Sequence, residues 1–182
     1  RSCNSLKEFN GKFASEDGRC LIIDGVLNNF APAGLTSYTI GDSVTTIGKW
    51  AFAFCDSLTS ITIPDSVTTI GNDAFYGCNS LTSITIPDSV KTIVERAFAY
   101  CDSLTSVTIG DSVTTIGNSA FTYCHSLTSV YCKATTPPSL GSNVFNNNAS
   151  GRTIYVPTAS VEAYKTAEYW SEYADTIVGY DF

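Results

Sequence analysis

Seven cysteines are the side chains of this sequence best suited to chemistry. Four of them recur every 23 residues: Cys55, Cys78, Cys101 and Cys124. If the repeats stack as strands, neighbouring cysteines lie about 4.8 Å apart, and that Cα separation permits a disulfide. Side chains that point the same way in register, however, seldom reach the required dihedral angle, and cysteine is a good small core residue. We therefore expect buried thiols in this column and at Cys132, while the state of Cys20 stays open.

Metal binding is the second chemistry to consider. A zinc site favours paired ligands such as Cys-x-x-Cys, and the sequence has no such pair. Four aspartates also recur every 23 residues: Asp42, Asp65, Asp88 and Asp111. A file of carboxylates can hold Ca²⁺, but each aspartate precedes a serine at a turn, where its side chain accepts a hydrogen bond from the following backbone. We expect turn capping, with weak cation binding as the alternative.

The sequence predicts no catalytic site. His125 is the only histidine, and it takes the position that Asp56 and Asn79 hold in other repeats, so we interpret it as a turn residue. An acid-base pair or a triad would interrupt the repeat with a cluster of unlike polar residues. The sequence contains no such cluster, and we predict that the protein is not an enzyme and needs no cofactor.

These residues belong to a repeat that dominates the chain. Residues 58–78 (LTSITIPDSVTTIGNDAFYGC) and 81–101 (LTSITIPDSVKTIVERAFAYC) are identical at most positions. The apolar columns keep the same register: Ile40, Ile63, Ile86 and Ile109, with Phe52, Phe75, Phe98 and Phe121. Repetition at this length is typical of a solenoid, in which stacked rungs bury a face that one rung cannot bury alone.

The residue pattern within one repeat predicts the path of the backbone in that rung. Residues 58–63 alternate with period two, which indicates a strand whose Ser60 and Thr62 face outward. Pro64 ends the strand and a turn follows. The side chains expected to point inward are these: Leu58, Ile61, Ile63, Val67, Ile70, Ala74, Phe75 and Cys78. The last three have the spacing of one helical turn, so we expect a short helical turn there.

The ends of the array are divergent. Residues 1–34 read as an irregular rung with a β-hairpin at Asp24-Gly25, and residues 35–132 as regular repeats. Residues 133–182 read as a degenerate last rung and a helical cap, in which Val161, Tyr164 and Trp170 cover the open edge. Residues 3–6 (CNSL) repeat residues 78–81, and the sequence lacks methionine. We therefore expect that the chain begins inside an earlier repeat, and the missing signal segment says nothing about export.

The unit C-x-S-L-T-S-I-T-I-P-x-S-V-T-x-I-G-x-x-A-F resembles the BspA-like leucine-rich repeat, with cysteine in the column where asparagine is usual. The C-terminal segment, with Pro137-Pro138, residues 154–157 (IYVP) and Trp170, resembles the cap of such proteins from anaerobic gut bacteria. The resemblance implies an α/β leucine-rich-repeat solenoid, rich in strands, with short helical turns. It also implies an extracellular or cell-surface protein that adheres to host or bacterial partners. Gly41 and Gly110 replace the turn proline, which changes turns and leaves the family resemblance intact.

Composition excludes several classes of function. The formal net charge of −7 and the lack of a basic run argue against nucleic acid. No apolar stretch approaches the roughly 20 residues of a membrane span. With 43% apolar residues the chain can bury a continuous core, and we expect a monomer.

Two faces are candidates for binding a protein or glycan. One carries outward aromatic residues, which are typical interface anchors, although packing on neighbouring rungs would also explain them: Trp50, Phe54, Tyr76, Tyr100 and Tyr123. The alternative strand face carries hydroxyl groups and is more uniform: Ser60, Thr62, Ser83, Thr85, Ser106, Thr108 and Tyr131.

The preferred interpretation is a non-catalytic module for recognition and adhesion. A structural spacer that displays another domain is the alternative. An ice-binding array of Thr and Ser is a remote one, because leucine-rich solenoids curve and half of the outward row is serine.

Overall fold

The structure is a computed structural model that describes residues 5–182. The expected match of Cys3 and Asn4 to an earlier repeat lies outside these residues. In chain order the elements are β1 (Cys20–Ile23), β2 (Val26–Phe30), β3 (Ser37–Thr39), β4 (Thr46–Ile47), β5 (Ser60–Thr62), β6 (Thr69–Ile70), β7 (Ser83–Ile86), β8 (Thr92–Ile93), β9 (Ser106–Ile109), β10 (Thr115–Ile116), β11 (Ser129–Cys132), β12 (Ser139–Leu140), β13 (Thr153–Pro157), a 3₁₀ helix (Thr158–Ser160), α1 (Val161–Thr166), a second 3₁₀ helix (Trp170–Thr176) and β14 (Ile177–Tyr180).

Each regular rung contributes a strand to two different sides of the solenoid. On the first side, β3 pairs with β5, and β7, β9, β11, β13 and β14 form a parallel sheet in that order. Ser83 pairs with Ser106 and Ser106 with Ser129, which is the register of the 23-residue repeat. On the second side, the two-residue strands β4, β6, β8, β10 and β12 stack in parallel behind β1 and β2. The sequence predicted the first strand of each rung and missed the second.

The third side is a run of consecutive turns. The N–H groups of Asp73, Phe75 and Gly77 donate to carbonyl groups of the next rung, over 2.7–3.0 Å. Between them, Tyr76 N–H turns back to the Asp73 carbonyl oxygen at 3.1 Å. Asp73 and Gly77, with φ of 54° and 68°, are each the third residue of a turn, closed by Ala74 N–H to the Gly71 carbonyl oxygen and by Cys78 N–H to that of Phe75. The inward positions are as expected, but the backbone is a chain of turns where a helical turn was expected.

Stacked rings form the centre of the core. Phe52, Phe75, Phe98 and Phe121 are at most 1% exposed, and successive ring centroids lie 4.9–5.1 Å apart with nearly parallel planes. The cysteine column lies beside them. The thiols of Cys78, Cys101 and Cys124 donate to the carbonyl oxygen of the phenylalanine one rung earlier, at 3.1–3.2 Å. These three cysteines and Cys132 are buried free thiols as predicted. Cys20, whose state the sequence left open, is also a buried free thiol, and Cys55 is buried in the same column.

Both ends of the array have the predicted elements. The hairpin of β1 and β2 turns at Asp24-Gly25, and Phe30 packs against Phe52 with ring centroids 4.7 Å apart and the ring planes tilted by 37°. In the cap, Tyr164 and Trp170 are fully buried. The Tyr164 hydroxyl donates to the Ala134 carbonyl oxygen and Trp170 Nε1 to that of Pro138, both at 2.7 Å. The sequence predicted that the cap covers the last rung. The structure shows in addition that the cap contributes β14, a further parallel strand that pairs with β13.

Candidate functional site

The five predicted aromatic residues form one continuous surface feature, called the aromatic row below. Trp50 lies 5.5 Å from Tyr76, Phe54 5.4 Å from Tyr76, and Tyr76 5.1 Å from Tyr100, between ring centroids. Tyr100 then stacks on Tyr123 at 4.7 Å with an interplanar angle of 9°. The structure thus brings together all five, across four rungs.

The turn backbone determines where these rings lie. Trp50, Phe54, Tyr100 and Tyr123 have φ between 55° and 61°, the left-handed region. Large side chains are rare there, since each costs about 1–2 kcal/mol relative to ordinary backbone. Other rungs have positive φ at the matching positions too, and all but Arg96 hold smaller residues there: Asp73, Arg96, Ser119 and Asn143 in the column of Trp50, and Gly77 and Asn147 in that of Phe54. The rings therefore occupy positions where glycine or asparagine would be less costly.

Tyr76 fills the one gap in the row. Gly77 occupies the position that Phe54 and Tyr100 hold in neighbouring rungs, and a Cβ atom there would lie 2.9 Å from the Phe54 ring. The Tyr76 ring packs edge-on to Phe54 in this space. Burial raises the pKa of Tyr76.

The rings pack on one another and still face solvent. Trp50, Tyr100 and Tyr123 are 40%, 38% and 37% exposed, whereas Phe54 and Tyr76 are half-buried. Packing on neighbouring rungs and outward orientation are thus both observed. Whether the row binds a partner stays a prediction.

A polar groove of about 360 Å³ follows the row, and we call it the asparagine groove. Its aromatic side is Tyr76, Tyr100 and Tyr123. Its other lining residues are polar: Arg96, Ser119, Thr122, Asn143, Asn146 and Asn147. Sequence reasoning missed this groove because the asparagines lie in the degenerate last rung. The run of residues 146–148 (NNN) was the available signal.

Arg96 is held in place at the groove by a buried carboxylate. Its Nε lies 3.0 Å from Asp73 Oδ1, and the Asp73 side chain is only 1% exposed. Burial raises the pKa of Asp73, and the Arg96 charge opposes that rise. Glu95 lies 3.8 Å from the same guanidinium. The Arg96 charge is therefore paired with a buried carboxylate, while the arginine side chain itself is 44% exposed.

The strand face is hydroxyl-rich, as predicted, and ends in a ring cluster. Ser60, Thr62, Ser83 and Thr85 are exposed, while Ser106 and Thr108 are half-buried. Tyr131 is not a lone ring. It stacks on Tyr155 at 4.6 Å, and Tyr180 meets both rings edge-on. The sequence interpretation recognised the segment of Tyr155 as a rung but did not include its ring in this face. It missed Tyr180 because β14 was not expected.

The aspartate column does not cap turns in the expected way. Asp88 Oδ1 accepts a hydrogen bond from the Asp111 N–H of the next rung at 3.0 Å, and Lys133 Nζ lies 2.8 Å from the same oxygen. The hydrogen bond from Lys133 lowers the pKa of Asp88. Within residues 5–182, no group of three or more His, Cys, Asp or Glu side chains could hold a metal ion.

His125 Nδ1 lies 2.8 Å from Asp102 Oδ1, and the His125 ring meets the Tyr123 ring edge-on.

Comparison with known proteins agrees with this geometry. Residues 27–165 match the model of the BspA type leucine rich repeat region in six copies. A crystal structure of the leucine-rich repeat protein of T. pallidum is 26% identical and has a TM-score of 0.68, over 86% of this chain and 73% of that one. A leucine-rich repeat protein from Bacteroides capillosus is 33% identical with a TM-score of 0.51, over 59% and 85% of the two chains.

A third structure supports the fold alone. The pneumococcal vaccine antigen PcpA is 16% identical with a TM-score of 0.56, over 93% of this chain and 50% of that one. No curated protein sequence matches the chain. In the part of the chain that the structure describes, no helix has the length and apolar character needed to cross a membrane.

Proposed function

The chain belongs to the family of BspA-type leucine-rich repeat proteins, and from this premise we propose that it is a non-catalytic recognition module of a bacterial cell surface. It adheres to a protein or glycan partner through the aromatic row. The family's general association with protein interaction supports the class of function. The row supports the choice of surface.

The observation that carries this proposal is the strained placement of exposed rings. Trp50, Tyr100 and Tyr123 are each held at positive φ and each more than a third exposed. Residues in sparsely populated backbone regions cluster at functional sites, and tryptophan and tyrosine are enriched among interface anchors. A spacer would need stacked rungs, but it would not need a row of rings across four rungs with exposed rings in three of them.

The strand face is the weaker candidate. Its serines and threonines repeat with little variation, so they offer little specificity. Its charged pair, Asp88 and Lys133, is already joined by an ion pair. We therefore interpret the strand face as a hydrated surface that does not bind the partner.

The test is binding to arrays of extracellular matrix proteins and of cell-surface glycans. The double variant Tyr100→Asn and Tyr123→Asn removes two rings, and asparagine suits the backbone because Asn147 holds the same position one rung later at φ 56°. We expect its affinity for an array member to fall by at least about tenfold. The matched control is Thr62→Ala with Thr85→Ala, which should change affinity by less than about threefold.

Two results would contradict the proposal. Loss of binding in the threonine control with full binding in the tyrosine variant would place the site on the strand face. Failure of every protein and glycan on the arrays to bind the wild-type chain would favour the spacer.

A further inference from the structure

We propose that the asparagine groove binds a neutral saccharide, so that a glycan is the partner that the aromatic row helps to hold. This inference rests on the proposed function, because it assigns a ligand class to the same side of the solenoid. It adds the asparagines of the last rung to the candidate site.

The groove lies between two columns of residues that point outward from successive turns. Hydrogen bonds between rungs fix this arrangement. The Arg96 N–H donates to the carbonyl oxygen of Asn118, next to Ser119, and the Ser119 N–H donates to that of Ser142, next to Asn143. In the second column, the Tyr100 N–H donates to the carbonyl oxygen of Thr122, next to Tyr123, and the Tyr123 N–H donates to that of Asn146, next to Asn147. The first column is therefore polar, and the second carries Tyr100 and Tyr123 and ends in Asn147. The volume of about 360 Å³ is within the range of small-ligand sites, about 300–1,000 Å³.

The polar groups of the groove match the chemistry of sugar hydroxyl groups. A sugar hydroxyl both donates and accepts hydrogen bonds, and so does an asparagine amide. Asn143, Asn146 and Asn147 are exposed at the groove. Asn146 Nδ2 donates to Asn143 Oδ1 at 2.6 Å, which orients these two amides and leaves their other donors and acceptors for a ligand.

The rings supply the second half of saccharide recognition. A pyranose presents C–H groups on its ring faces and hydroxyl groups around its rim. Tyrosine rings offer an apolar body with a polar hydroxyl at the tip. In the groove, Tyr100 and Tyr123 adjoin the asparagines, so one ligand can contact both kinds of group.

The charge of the groove favours a neutral ligand over an anionic one. Arg96 is the only charged residue among those that line it. Its guanidinium contacts Asp73 through Nε at 3.0 Å and Nη2 at 3.3 Å, with Glu95 also nearby. An anionic sugar is best held by a cation whose charge is not already paired with a carboxylate. It would also meet a chain whose net charge is −7.

The experiment uses a glycan array that carries mannose-, galactose- and N-acetylglucosamine-terminated chains beside sialylated and sulfated forms of the same chains. The wild-type protein should bind a neutral chain and gain nothing from sialylation or sulfation. In the variant Asn143→Gly with Asn147→Gly, which keeps residues suited to positive φ, affinity for that chain should fall at least about tenfold. The control Asp24→Gly, also at positive φ but in the hairpin, should bind as wild type.

Asn147→Asp provides a second variant of nearly the same shape. It keeps the acceptor oxygen, replaces the amide donors with a second acceptor oxygen that shares a negative charge, and should also weaken binding. Thermal melting by circular dichroism checks that the variants are folded. Unchanged affinity in both groove variants, or binding of only sialylated or sulfated chains, would overturn the inference.

The outcome also separates this inference from the proposed function. Binding to a matrix protein that depends on Tyr100 and Tyr123, with no neutral glycan bound, would sink the saccharide site and leave the recognition module intact. No bound protein or glycan would contradict both.

Discussion

At the scale of single residues, the cysteine thiols combine packing with hydrogen bonding. Cys101 is fully buried beside the phenylalanine rings and donates to the Phe75 carbonyl oxygen at 3.2 Å. Burial raises its pKa well above 9.0, and the neighbouring thiols raise it further. A small side chain with a weak donor suits this column, because the turns leave a carbonyl group pointing into the core.

The raised pKa values of two other thiols, Cys20 and Cys132, lead us to predict a loss of stability at alkaline pH. Burial raises the pKa of each from 9.0 to about 11. Between these values the unfolded chain releases the proton and the folded chain keeps it. The free energy of unfolding is therefore highest below pH 9 and falls as pH rises towards 11. One thiol accounts for up to about 3 kcal/mol of this change.

Urea unfolding at about pH 8 and about pH 10 measures the effect. In Cys132→Ala, which lacks one of the titrating thiols, the free energy of unfolding should fall less between these two pH values than in the wild type. An equal fall in both proteins would show that Cys132 does not titrate as described.

Gly77 gives a second prediction at the residue scale. Gly77→Ala places a Cβ atom at φ 68° and 2.9 Å from the Phe54 ring. The backbone cost alone is about 1–2 kcal/mol, and the ring contact adds to it. Gly34→Ala is the matched control, because Gly34 has φ 80° and no heavy atom within 4 Å of the added carbon. Equal losses of unfolding free energy would mean that the Phe54 ring yields freely.

At the scale of elements, the sequence predicted long strands well and short ones poorly. Alternation along residues 58–63 and 81–86 is enough to recognise β5 and β7. The strands β6 and β8 have only two residues, too few for any alternation. The turns on the third side also escaped prediction, since Asp73 and Arg96 hold the left-handed positions where glycine would have marked a turn.

The cap is the element with the sharpest prediction. Truncation after Pro157 removes α1, both buried bonds to Ala134 and Pro138, and β14, so the last rung loses its cover and its paired strand. An open edge promotes aggregation. We expect the truncated chain to aggregate or to unfold in part, as size-exclusion chromatography would show.

Point variants separate the cap's packing from its strand. Trp170→Ala should lower the free energy of unfolding by about 3–5 kcal/mol, whereas the exposed Glu168→Ala should change it by less than about 0.5 kcal/mol. A soluble truncated monomer with an undiminished melting temperature would contradict this account of the cap.

At the scale of the whole molecule, stacking turns a local repeat into a surface. The aromatic row exists only because the rungs stack in register. Stacking brings Tyr100 into contact with Tyr123, which lies 23 residues later in the chain. The sequence predicted its five members from their columns. The match of residues 140–145 to residues 116–121 already aligns Asn143 with Ser119. The asparagine groove was still missed, because the alignment does not show that these columns lie side by side around a groove, as they do in the structure.

The central claim is that the partner binds the side of the solenoid that carries the aromatic row. Hydrogen–deuterium exchange of the wild-type chain, alone and saturated with the array member it binds, tests this most directly. We predict slower exchange in the turns at residues 49–54, 72–77, 96–100 and 119–125, with no change in β5, β7 and β9. Protection confined to those strands, with unchanged turns, would contradict the claim.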